Sequence, residues 1–510
     1  MNRSLKSFLS ILLLVSNALH ASDSPTFGKT FFTQRSQGSN LARWLAGQGY
    51  HTHLCDTDCI NGSLAITPHY FQSYNDKELG QFFFFNQTNT MRFGPAGQPG
   101  VDVFARNLFL NDNFDGSITA NPEVRNFVVD INFYLGLDEW VRGLYFRMDI
   151  PINWTSWDMR LTETSTTSGT TIAANKLGNT MAAASPRTSI IQALQGEVLD
   201  PTNFPDLRQE MRFARINGKQ TKTGVADITF VLGYDFICNE CGHLGFDAWV
   251  VAPTGTRPDA QFVFEPIVGN GRHVEVGGGI SGHYELWNNG CEQSFAIFYE
   301  GFVNHMFRAK QKRTFDLRDN GIGSRYLLFK RFDSTGMYAN EILFGPNVLT
   351  RDVQVRVDIH GEAAFMFDYQ NGGFTFDVGY NIWGRTREHL TITENIPANT
   401  FGVAGNTDTA ATGGNNPNNT QSLTNIQGNF APLPDDGATP VFITTGDLNV
   451  ESATNPGAVS HKLFTHLAYT WENCDYLPFL GLGGEVEFSG RNNRALDQWG
   501  IWVKGGFTFV

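Results

Sequence analysis

From residue 124 onward, apolar and polar side chains take turns along the chain. In 124–135, Phe127, Val129, Ile131, Phe133 and Leu135 share one side, and Asn126, Asp130, Asn132 and Tyr134 share the other. A period of two is that of a β-strand, whose successive side chains point to opposite faces. A second strand is predicted over 143–154, where Leu144, Phe146, Met148, Ile150, Ile152 and Trp154 alternate with Tyr145, Arg147, Asp149 and Asn153. The alternation slips by one near Thr155 and Ser156, as at a β-bulge, and resumes with Trp157, Met159 and Leu161. The pattern predicts nine more strands, over 223–237, 243–253, 273–287, 293–307, 351–368, 373–385, 460–472, 476–489 and 498–510. In 351–368 the expected outward set is Val353, Val355, Val357, Ile359, Ala363, Phe365 and Phe367. Gln354, Arg356, Asp358, His360, Glu362 and Asp368 form the inward set.

The connections say which all-β architecture this is. Short turns at 136–140, 238–242, 288–292, 369–373 and 473–475 alternate with long connections at 163–220, 308–350 and 386–459. One end of the structure therefore carries only tight turns, as in an antiparallel up-and-down transmembrane β-barrel with short periplasmic turns and long extracellular loops. A closed bacterial barrel normally has an even strand number, so a strand through 99–108 is expected to complete about 12. Ten or fourteen stay open, because 65–92 is hard to read. Residues 22–64 show no strand pattern and suit a plug, a periplasmic tail or a short helix around Asn40 to Ala46.

No stretch approaches the roughly 20 apolar residues of a membrane-spanning helix; the densest is Phe82 to Phe85. Arg3 and Lys6, the apolar run Phe8 to Val15 and the small residues Ser16, Ala18 and Ala21 read as a secretory signal peptide. The expected division is a signal peptide over 1–21, an N-terminal periplasmic or plug segment over 22–97 and a transmembrane barrel over 98–510. The 43 Phe, 14 Tyr, 10 Trp and 53 Gly fit a barrel's aromatic girdles and tight turns. The expected place is the bacterial outer membrane, in contact with its lipid and lipopolysaccharide. Self-association into a homo-oligomer is compatible with the pattern.

Formal charge is −13 with no basic stripe, which argues against nucleic acid as a partner. By alternation, Asp130, Asp149, Asp158, Asp227, Asp235, Asp247, Asp358, Glu362, Glu485 and Glu487 are expected to line a pore. So are His360 and the bases Arg147, Arg160, Arg356, Arg385 and Lys504. Acids outnumber bases, and charges on a narrow wall focus the field, so a solute channel with a preference for cations is expected. The basic run Arg308 to Arg313 in a long loop suits lipopolysaccharide phosphates or plain solvation.

Six cysteines, Cys55, Cys59, Cys238, Cys241, Cys291 and Cys474, follow a signal peptide and are disulfide candidates, with Cys238–Cys241 as a local bridge. His51, His53, Cys55 and Cys59 are close enough in sequence to suit zinc or copper, but an oxidising compartment favours disulfides, so no metal or cofactor is expected. No nucleophile elbow or His-Glu-x-x-His motif is present, so no catalytic residue and no enzyme activity are expected.

Two resemblances add to this. The final segment, with Trp499, Ile501, Val503, Phe507 and Phe509 at alternate positions, resembles the C-terminal assembly strand of outer-membrane barrels. It ends on Val510 where that pattern ends on an aromatic residue. Gly224-Val225-Ala226-Asp227 and, after a hairpin, Ala252-Pro253-Thr254-Gly255 resemble the G-x-x-D and P-T-G pattern of outer-membrane channels linked to phenol meta-pathway degradation. That resemblance implies an uptake-type barrel and brings no catalytic residues with it. The expected function is passage or uptake of small solutes. A closed barrel presenting surface loops for a structural or adhesive role is one alternative, and a transporter of apolar compounds with an N-terminal plug is another.

The alternation of connections predicts a topology. Protease added to intact cells should cut within 163–220, 308–350 or 386–459 and spare 238–242 and 369–373, as read by mass spectrometry of the released peptides. Cleavage in the short turns would invert the arrangement.

Overall fold

Backbone N–H and C=O groups in hydrocarbon find no water, so a strand crossing lipid has to be paired on both edges. Twelve strands meet that demand by closing on themselves. They are β1 (Gly62–Ser73), β2 (Glu123–Gly136), β3 (Leu144–Asp158), β4 (Ile228–Asn239), β5 (Gly242–Ala252) and β6 (Glu275–Asn288). The ring continues with β7 (Gln293–Thr314), β8 (Thr350–Asn371), β9 (Phe374–Arg385), β10 (Ala458–Thr470), β11 (Leu477–Ser489) and β12 (Gln498–Phe509). Each pairs antiparallel with the next, and β12 closes on β1 from Gly62–Phe509 to Ser73–Gln498. The computed structural model describes residues 27–49, 51–54, 60–84, 86–95, 98–111, 113–167, 187–196, 205–239, 241–290, 292–336, 338–403, 442–472, 476–489 and 497–509. The expected signal peptide lies outside them.

The outer surface is the one the alternation predicts for lipid. Leu232, Phe246, Ile280, Leu463, Leu482, Ile501 and Val503 all stand exposed on it. Near the short turns the exposed side chains become aromatic, with Trp140, Tyr284, Trp287, Phe374, Trp471 and Tyr476. That is a girdle at a membrane–water interface. Among the described residues no helix is long and apolar enough to cross a membrane. Fold, exterior and girdle together are those of an outer-membrane β-barrel.

The twelfth strand is Gly62–Ser73, not 99–108. Its alternation is weak because small and polar residues (Ala65, Thr67, His69) face inward and Pro68 interrupts the run. Pro68 has no N–H to give, and the β1–β12 pairing skips from Ile66–Gly505 to His69–Trp502 at that point. The barrel therefore begins at Gly62, and the expected boundary at residue 98 falls inside an extracellular connection. Val103–Phe104 pairs there with Phe93–Gly94.

The described residues of the long connections pack together. They fold into a cap with its own apolar core, containing Phe32, Phe82, Phe93, Phe114, Trp157, Phe264, Phe315 and Phe329. The 22-residue strands β7 and β8 are far longer than the 9–11 residues that span a bilayer, and they rise into this cap. There the rule for their faces reverses. In lipid the apolar face points out. In water it points in, so Val353, Val355 and Val357 are fully buried while the side chains of Arg356 and Asp358 stand outside, paired at 3.0 Å. On β3 the same exchange buries Trp157 and Met159 and leaves Arg160 outside, 2.7 Å from Glu123, with Asp158 on that same outer side. Asp158, Arg160, Arg356 and Asp358 thus do not line the lumen.

The basic run is strand rather than loop, because β7 continues to Thr314. Arg308 and Lys310 are exposed, whereas Arg313 is buried 3.2 Å from Glu388 and 3.2 Å from the Phe31 ring centroid. Cys241 is an exposed free thiol, so the expected Cys238–Cys241 bridge does not form. The two-residue register around the turn (Gly242 opposite Asn239) is satisfied without it. Cys55, Cys59, Cys291 and Cys474 lie outside the described residues.

Beside Phe264 in the cap, Glu265 is buried and accepts from the Ala260 amide at 2.9 Å. Burial, reinforced by nearby Asp259, pushes its carboxyl up to about 8. The unfolded cap releases that proton near pH 4.5, so Glu265's contribution is complete below that pH and is lost as pH rises through about 8. Thermal melting of the cap, followed by Trp157 fluorescence, should occur lower at pH 8 than at pH 5. E265Q should remove most of the difference; an unchanged difference would disprove the assignment.

Candidate functional site: a plugged lumen

Residues 27–54 carry Lys29, Arg35 and Arg43 and no acid. The barrel's inner wall carries an excess of acids. The chain resolves the mismatch by running its N-terminal segment down the lumen from the cap to the periplasmic end. At the top, Arg325 holds the Gly28 carbonyl and Phe32 packs 5.5 Å from Trp157. In the middle sits the short helix α1 (Leu41–Leu45), with Asn40 capping its first turn by accepting from the Arg43 amide at 3.2 Å. At the bottom, His51 stacks on Phe479 at 4.0 Å and its Nδ1 lies 2.6 Å from Thr508 Oγ1.

The wall holds α1 at both ends, where a helix leaves backbone groups unpaired. Glu362 accepts from the Leu41 amide at 2.9 Å and from Ser39 Oγ at 2.8 Å. Lys504, fully buried on β12, donates from Nζ to the carbonyls of Arg43, Trp44 and Ala46 at 3.0, 3.0 and 2.7 Å. The chain leaves the helix through Gly47 at φ +69°, its amide donating to Asp377 Oδ2 at 2.8 Å. A Cβ there would come within 2.6 Å of the His466 ring, so only glycine passes.

Ion pairs complete the docking. Arg35 pairs with Glu362 and, at 3.1 Å, with Glu487. Arg43 lies 3.3 Å from Asp130 and 3.7 Å from Glu485, and Lys462 lies 2.9 Å from Glu485. Arg147 pairs with Glu300 and lies 3.4 Å from Asp149. Its guanidinium sits between Trp44 of the plug and Trp249 of the wall, 4.1 and 4.6 Å from their centroids, a cation–π contact on both faces. The space left beside α1 is about 40 Å³, enough for a few waters.

The remaining expected pore residues fall around this plug. Asp227 takes a hydrogen bond from Ser36 at 2.7 Å, Asp235 meets His53 at 2.7 Å and Asp247 accepts from Tyr145 at 3.3 Å. His360 sits 2.8 Å from Glu275, and Arg385 lies 3.7 Å from Glu388 at the upper rim. The expected cation preference assumed that the lumen acids faced water; many instead face the plug or its neighbours. Sequence reasoning missed Arg35, Arg43 and Trp44, although an acid-free, cationic segment ahead of an acid-rich barrel was a usable sign.

The G-x-x-D and P-T-G residues form a joint at the upper rim. Thr254 Oγ1 donates to the Ala226 carbonyl and accepts from the Ile228 amide at 3.2 Å, which sets Asp227 towards Ser36. Gly269 (φ +83°) leaves room beside the Asp227 carboxylate, and its amide donates to Gln37 of the plug at 2.8 Å.

No family model and no curated protein matches the chain. Solved structures to which the chain is similar include an outer-membrane channel from Pseudomonas putida F1, at 10% identity over 88% of this chain and 96% of that one, TM-score 0.33. A Pseudomonas aeruginosa FadL homologue is similar at 8% identity over 94% and 99%, TM-score 0.29. The Pseudomonas putida toluene transporter TodX follows at 8% over 95% and 95%, TM-score 0.24. Likeness at this level carries no substrate over to this chain.

Replacing Lys504 by Met strands three buried carbonyls, at about 1–3 kcal/mol for an unpaired buried polar group. Amide exchange at Ala46 should quicken by at least the roughly 5- to 150-fold that one stranded carbonyl corresponds to, while the barrel strands keep their protection. Unchanged exchange would mean that Lys504 does not hold the plug.

Proposed function

We propose that this chain is an outer-membrane uptake channel for small apolar compounds, closed at rest by residues 27–54. One observation carries the reading. At the level of α1 the inner wall presents Tyr145, Trp249, Phe302, Phe464 and Trp502, packed around Leu41, Trp44 and Leu45. A water-filled porin has a polar interior. An aromatic collar instead offers an apolar solute the contacts that Leu41, Trp44 and Leu45 now make, so the solute takes their place as the plug shifts. The ties that hold the plug are hydrogen bonds and ion pairs, which small displacements exchange.

The passive, cation-preferring pore fits less well, because the plug fills the lumen at the level of α1 and leaves only about 40 Å³ beside it. The closed, cap-presenting barrel draws support from the cap's own core. No catalytic step belongs to the proposal. The exposed Arg308 and Lys310, above the lipid, suit lipopolysaccharide phosphates.

Purified protein in a planar bilayer should show little steady conductance, whereas R35Q/R43Q, which loosens the plug and uncovers Glu362, Glu485 and Glu487, should conduct with a preference for cations. In proteoliposomes, wild-type protein should admit a labelled monoaromatic such as toluene several-fold faster than a sugar. Steady conductance and sugar passage by wild type would restore the open pore; passage of neither probe, with or without the plug ties, would favour the surface-presenting barrel.

A further inference from the structure

At the periplasmic end of the lumen, three imidazoles and one carboxylate converge. His243 on β5 stands directly opposite His283 on β6, and their Nδ1 atoms face each other. His53, from the plug, stacks on the His243 ring at 3.9 Å with the planes only 3° apart. Its Nδ1 lies 2.7 Å from Oδ2 of Asp235 on β4. One donor atom from each of His53, Asp235 and His243 falls within 4.8 Å of the others.

A hydrogen-bonded cluster is the simplest account of such a group, and two features go beyond it. His243 and His283 aim the same type of nitrogen at one point, so one shared proton is the most that can lie between them. Asp235 is buried, and its second oxygen, Oδ1, has no hydrogen-bond partner. A buried oxygen left unpaired normally costs about 1–3 kcal/mol. Nitrogen and oxygen donors gathered within 4.8 Å of one another are what a metal ion draws together, with a small rotation of the stacked His53 ring. Tetrahedral donors about 2.0–2.1 Å from a zinc ion lie about 3.3 Å apart, within the spread of separations here.

The geometry points to a site in which His53, Asp235 and His243 bind one late first-row divalent ion, with zinc the best fit and a fourth position left open to water. Neutral imidazole with one carboxylate is zinc chemistry; calcium and magnesium ask for an all-oxygen shell. The donors come from two adjacent strands and from the plug, so the bound ion would pin the plug's lower end to the wall. The amide of His53 is already fixed, donating to the Tyr134 hydroxyl at 3.1 Å. A groove lined by Leu54, Gly242, His243, Gly282 and His283 reaches the cluster from outside. The site does not depend on which solute the channel carries.

The test uses the full mature chain in detergent, loaded with zinc chloride, desalted and assayed for metal by mass spectrometry. Retention of about one zinc per chain is expected. His53→Gln and His243→Gln should each weaken binding by more than the roughly 10–100-fold that loss of an outer-shell partner costs. Both variants should keep the heat-modifiable gel mobility of a closed barrel; if one does not fold, Asp235→Asn replaces it. Cobalt(II) in place of zinc should give the visible bands of a tetrahedral nitrogen–oxygen site. Zinc should also slow amide exchange at His51 and His53. No retained zinc, retention unaffected by His53→Gln, a cobalt–thiolate charge-transfer band from Cys241, or exchange indifferent to bound zinc would each overturn the proposal.

Discussion

A carboxylate on the inner wall of a narrow barrel has to be solvated by something. Water does this in a wide pore; here a second piece of the same chain does it. Arg35 and Arg43 bring positive charge to Glu362, Glu487, Asp130 and Glu485, and Lys504 answers the open carbonyls of α1. A buried charge without its partner costs several kcal/mol, so wall and plug are each unsatisfactory alone. The narrowness of the lumen, its aromatic collar and the glycine exit at Gly47 all follow from fitting these two parts together.

Where the chain meets lipid, its sequence was easy to read. Eleven strands show as alternation because hydrocarbon admits only apolar side chains on one face and leaves the other free to be polar. The reading failed where the solvent changes. Val353, Val355 and Val357 keep the same alternation above the membrane, but water has replaced lipid, so the apolar side turns inward and Arg356 and Asp358 turn out. Periodicity gives two faces without saying which is which; only the medium decides. β1 escaped for a different reason, since Pro68 and small inward residues blur its period.

The lumen was legible in part. Asp130, Arg147, Glu362 and Lys504 are inward by alternation alone. Their partners are not, because residues 27–54 lack any repeating pattern and their contacts bridge hundreds of positions, as from Arg35 to Glu487. The G-x-x-D and P-T-G residues show as a resemblance, and the structure gives it a physical meaning: a rim joint that aims Asp227 at the plug. His53, His243 and His283 are scattered in sequence and meet only because β5 and β6 pair in register and the plug ends beside them.

The ring closes where β12 meets β1, and the hook for α1 sits on β12. The strand that closes the ring is therefore also the one that grips the plug. Sealing an empty ring would cost Lys504 the three carbonyls that it holds here, which disfavours closure. Filling the barrel and finishing it become a single cooperative step, and assembly of an unfilled barrel is discouraged by the closing strand itself.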